Sequence, residues 1–147
     1  MQQKMRALQF PHFFGSTAAF LIFGISIIHF YWLLGGNWGL SVALPETSTK
    51  TKPLKPGVFM TLIVALAFLL MAIIVLDIDF WTVSKTSNYY LSLTIAVVFL
   101  LRAIGDFKYF GFFKKIKGTD FSKYDTKIFT PFSLFIGILI MIKLFIL

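Results

Sequence analysis

The stretch Val58 to Leu76, VFMTLIVALAFLLMAIIVL, contains no charged residue in 19 positions. As a helix rising about 1.5 Å per residue it covers roughly 28 Å, close to the hydrocarbon thickness of a bilayer. A soluble fold would have to bury it on every side. This chain has 147 residues, of which 58% are hydrophobic and 14% charged, so it has too little polar surface for that. The stretch is therefore read as a membrane span, and the remaining apolar runs follow suit. Spans are expected at about 13–34, 58–76, 89–110 and 130–147, in a single transmembrane domain over residues 1–147. The expected fold is all-α: an integral membrane four-helix bundle with both long loops on one face.

The basic tail Met1 to Pro11 precedes a run longer than a signal-peptide core, with no clean small-x-small cleavage site after it, and reads as leading into a retained first span. Within that span Gly15 and Ala19 form a small-xxx-small pair, which permits close helix approach. Gly35, Gly36 and Gly39, with Tyr31, Trp32 and Trp38, suit an exit turn at the headgroup boundary. The linker that follows, through Pro45, Glu46 and Pro53 to about Pro56, exceeds a minimal helix–helix turn. Asp77 and Asp79 read as a solvated loop bracketed by Trp81, Tyr89 and Tyr90, since nothing nearby completes a hard-metal shell. Thr130 and Pro131 mark the start of the fourth span as a cap and a first-turn proline, and Lys143 lies near enough to the end to snorkel.

Chemistry is narrowed mainly by what is missing. There is no cysteine, which excludes disulfides, thiol catalysis and cysteine-held clusters. His12 and His29 lie about 25 Å apart along one helix and cannot ligate the same haem iron. No metal spacing is present, so neither a metal nor a cofactor is expected. The net charge of +8 sits in short loops, which points to topology and anionic lipid rather than nucleic acid. Nine lysines fall on the long-loop side against four basic residues opposite. By the positive-inside rule the long loops are cytoplasmic and both termini outside, the expected site being a bacterial inner membrane.

The polar inventory of the spans centres on Arg102 and Asp106, four residues apart and hence one helical turn from each other. A charge pair facing the bundle interior persists where either charge alone would not. Arg102 is also the deepest of the fourteen basic residues, twelve of which are lysine, and its fork suits a carboxylate or phosphate. The first and third spans run in the same direction, which sets His29 at a depth comparable with that pair. The candidate polar cluster is His29, Trp32, Trp38, Arg102, Asp106, Tyr109 and Asp125, with Glu46 and Tyr124 at its rim.

The segments HFYWLLGGNWG with the later Pro45, RAIGDFKYFGFFKK, and TDFSKYDTKIFTP resemble a bacterial membrane-protein family catalogued as domain of unknown function 3995. Members similar to this chain often carry a cysteine shortly after the proline of the fourth span. Here Ser133 stands near that place, which argues against a thiol role. The family brings no function to transfer. The residues alone point first to a binding protein, for a lipid, a small amphiphile or a partner protein, at the long-loop face. A membrane enzyme using His29 and Asp106 for proton transfer is the second expectation. An accessory subunit of a larger complex, or a homo-oligomer, is the third.

Overall fold

The computed structural model describes residues 2–45, 57–77 and 84–146, with side chains from residue 12 onward. Glu46, Asp79 and Trp81 lie outside the described residues. The described chain is helical, without strands, and has four helices long and apolar enough to cross a membrane. These spans are carried by α1 (Gln2–Leu33) from His12 onward, α3 (Val58–Leu76), α4 (Lys85–Ile104) and α6 (Thr130–Ile146), the last belonging to a continuous helical run from Asp120 to Ile146. Two short helices, α2 (Leu40–Ala43) and α5 (Asp120–Tyr124), belong to the long loops.

Each helix ends for a local reason. Helix α1 runs back through the basic tail to Gln2, beyond the span expected from about residue 13. Helix α4 starts at Lys85, four residues earlier than expected, because the Ser84 hydroxyl accepts a 3.1 Å bond from the Ser87 N–H. It stops at Ile104 and does not continue to about 110, since Gly105 takes φ +99° and turns the chain out of the helix. Thr119 caps α5 through the Ser122 N–H, and the chain then runs without a break through a wide π-helical turn, Asp125–Phe129, into α6. Pro131 accounts for the widening, because it has no N–H to offer Lys127 and its ring crowds that carbonyl.

Helices α1 and α3 pack most closely, α6 lies against both α1 and α4, and α3 meets α4 only lightly. Small side chains allow this: Ala18, Ala19, Ala72 and Ala96 sit in the core beside Ile22, Val75, Phe99, Ile136 and Ile140. The Ser26 hydroxyl donates 2.8 Å to the Ala65 carbonyl, a buried bond joining α1 to α3. Neighbouring helices run antiparallel, so the ends of α1 and α4 share one face of the bundle with the starts of α3 and α6. There α2 packs beside α5, which brings the two long loops together.

The opposite face carries a buried cation. Lys143 does not snorkel into the surroundings: only 3% of its side chain is exposed. Its stem lies over Gly15, where an added Cβ would stand 2.9 Å from Lys143 Cδ. Its ammonium donates 2.9 Å to the Val75 carbonyl at the negative end of α3 and stands 3.9 Å from Asp77. Asn88 also donates to Asp77, so this exposed turn residue, solvated as expected, also links the end of α3 to α4 and stands near the Lys143 ammonium of α6. Gly15 serves close packing as the small-residue spacing implied, with a lysine stem as well as the α3 backbone as its neighbour.

Candidate functional site

Arg102 pairs with Asp125, not with Asp106. The last turn of α4 aims the guanidinium at the π-helical turn, where Arg102 Nη2 donates to Asp125 Oδ1 at 2.6 Å. The expected one-turn pairing fails because α4 has already ended, and Asp106 stands outside the helix. Its Oδ1 instead accepts from the N–H groups of Lys108, Tyr109 and Phe110, at 2.9, 2.7 and 3.1 Å, closing the loop that leaves α4. Partial burial opposes its charge, but these three donors outweigh that and hold the Asp106 carboxyl below its ordinary pKa.

Asp125 is the hub. It is fully buried, and its second oxygen accepts from Lys114 Nζ at 2.9 Å, the Gly111 N–H at 2.9 Å and the Thr130 hydroxyl at 3.1 Å. Lys114 also donates 3.1 Å to the Gly111 carbonyl and is 3% exposed. A buried carboxylate is tolerable only when its lone pairs are filled in this way. The loop reaches Asp125 because it folds back on α4: the Phe112 and Phe113 N–H groups bond the carbonyls of Ala103 and Ile104, left open where the helix ends. That fold needs Gly105 and Gly111 in direct contact, and a side chain on either would strike the other's backbone.

The hub carries two cations on one anion. Lys114 and Asp125 are closed off, whereas Arg102 keeps 30% of its side chain exposed and lies 4.9 Å from the centre of the Phe110 ring. Its Nη1 is enclosed, with no hydrogen-bond partner among the described residues. The surplus positive charge therefore has its open side at Arg102.

His29, Trp32 and Trp38 form a second group at the same end. The His29 ring lies 4.9 Å from Trp32 and 5.3 Å from Phe68, and its Nδ1 stands 2.8 Å from the Ile25 carbonyl of its own helix. Trp32 Nε1 donates 2.9 Å to the Trp38 carbonyl, fastening the glycine-rich exit turn. Tyr109 belongs to neither group and lies with Lys108 over its ring. Tyr124 is exposed. Among the described residues no hydrogen bond joins His29 to Asp106, and no group of acidic residues and histidines is arranged to hold a metal ion. Lys114, Gly111 and Thr130 were absent from the candidate cluster. Thr130 had a signal, standing five residues after Asp125 where a widened turn brings its hydroxyl back; Lys114 had none.

A family model described as "Protein of unknown function (DUF3995)" matches residues 22–140. The chain belongs to that family. The DUF3995 match covers both polar groups, from His29 to Thr130, the whole of α3 and α4, and parts of the first and last spans. No curated protein and no solved structure matches the chain.

Proposed function

We propose that this DUF3995 protein binds an amphiphile with an anionic headgroup, a lipid or a smaller molecule, at the long-loop end of its bundle. The observation that supports this is the unequal closure of the hub. Asp125 and Lys114 are sealed, and the surplus charge emerges at the half-open Arg102. A phosphate or carboxylate at that edge would meet a guanidinium already held flat between Asp125 and Phe110, so little ordering remains to be done on binding. The acyl portion would lie along the spans. Asp125 itself, with four donors, is better suited to holding the loop than to meeting a ligand. The His29 and Asp106 proton-transfer reading has less support, since each engages its own backbone. On this reading the long loops face the cytoplasm of a bacterial inner membrane, as the lysine asymmetry favours.

The test is gentle purification of the parent and of Arg102→Lys, followed by native mass spectrometry. The expected result is a retained anionic amphiphile on the parent and about tenfold less on the folded variant, because a point charge cannot replace the fork. Equal retention by both proteins would remove Arg102 from the site. A stoichiometric protein in place of the amphiphile would overturn the reading in favour of an accessory subunit.

A further inference from the structure

A second surface at this end is both aromatic and basic. The loop between α4 and α5 turns three phenylalanines outward: Phe107 and Phe113 are 57% and 64% exposed, their ring centres 6.3 Å apart, and Phe112 is exposed beside them. Phe107 adopts φ +60°, a left-handed conformation that a bulky residue takes only at a cost. The loop that presents these rings is rigidly held. Asp106 caps its first turn, Gly105 and Gly111 lock its neck, and Lys114 and the Gly111 N–H tie it to Asp125. Between Phe107 and Lys117 there are four lysines and no acid, and with Lys114 turned inward the exposed charges are Lys108, Lys115 and Lys117.

Aromatic rings and lysines without acids, held at the end of a membrane helix, match one environment: the boundary between acyl chains and anionic headgroups. We propose that the Phe107–Lys117 loop is a bilayer anchor, its phenylalanines seated among the headgroups and its three exposed lysines gathering anionic phospholipid. The anchor is independent of the ligand reading, since it needs nothing bound at Arg102. The occupant is the chain's own membrane rather than a protein partner because connectivity places the loop at the surface of that membrane. It begins where α4 ends, at Ile104.

The absence of native cysteine allows one reporter to be placed without background. The full-length Phe112→Cys protein is spin-labelled in nanodiscs of phosphatidylcholine with a minor share of phosphatidylglycerol. Its accessibility to oxygen and to a water-soluble nickel chelate is then compared. The expected label is oxygen-accessible and shielded from nickel. In parallel, lipid co-purifying with the unlabelled protein is expected to be enriched in phosphatidylglycerol at least about twofold over the bulk, and the enrichment to fall by about half or more in the triple variant Lys108→Gln, Lys115→Gln, Lys117→Gln, any remainder being lipid held at Arg102. A nickel-accessible label in nanodiscs, or enrichment unchanged in the triple variant, would overturn the proposal. A label exposed in nanodiscs but protected in native membranes would also overturn it, and assign the face to a protein. Arg102 is intact throughout, so loss of the anchor is not confused with loss of the amphiphile site.

Discussion

Asp125 and Asp106 are both aspartates of the long-loop end, yet removing their charges should have very different effects. Asp125→Asn leaves Arg102 and the 3% exposed Lys114 facing a neutral amide in a nearly closed site, and is expected to destabilise the detergent-solubilised protein by about 3–5 kcal/mol. Reversible unfolding in mixed micelles measures it; a loss below about 1 kcal/mol would mean the cations find water. Asp106 is exposed and acts through its charge on three N–H groups. Its folded pKa lies below its unfolded one, so the stabilisation of the turn is complete above about pH 4 and is lost as pH falls through the lower, folded value. Amide exchange of Lys108 to Phe110 should accelerate, relative to the intrinsic rate, only below that point. In Asp106→Asn the protection should be weaker at neutral pH and flat on acidification. Protection that is indifferent to acid in the parent would show that the carboxylate's charge does not hold the turn.

At the level of helices, what could be seen in advance is what depends on runs of residues. The uncharged stretch Val58–Leu76 is helix from its first residue to its last, as expected from its length alone. The ends were harder to read. Helix α4 stops at Gly105 because its φ is positive, and glycine permits that geometry without requiring it, so the sequence left Asp106 looking like a helical neighbour of Arg102. The true partner is 23 residues away across a loop, a separation with no periodicity to reveal it. The same holds for Lys143: its distance from the end suggested snorkelling, while its carbonyl partner, Val75, is 68 residues earlier. Asp125 and Arg102 were both among the candidates, although the bond between them was not foreseen. The wide turn before α6 had a visible cause in Pro131, but a proline at a first turn and a proline behind a widened turn are written alike.

Across the whole bundle the charges are placed at its two ends, and each end is tied by a residue of the last helix segment: Asp125 to α4 on one face, Lys143 to α1 and α3 on the other. Helix α4 is the least apolar of the four spans and carries Arg102 in its last turn, whereas the segment that supplies its counter-charge is more apolar. During synthesis α4 leaves the ribosome before Asp125 has been made. Its arginine must then wait at the membrane surface, and the helix is held in the bilayer firmly only once its successor arrives, so these two spans should integrate as a hairpin. In nascent chains stopped after Gly118 a single cysteine placed within α4 should be open to a membrane-impermeant maleimide, while in the chain extended through Ile146 it resists labelling, and Asp125→Asn in the longer chain should restore part of the labelling. Equal resistance at both lengths would mean that α4 enters on its own, and that the bond to Asp125 is made between helices already in place.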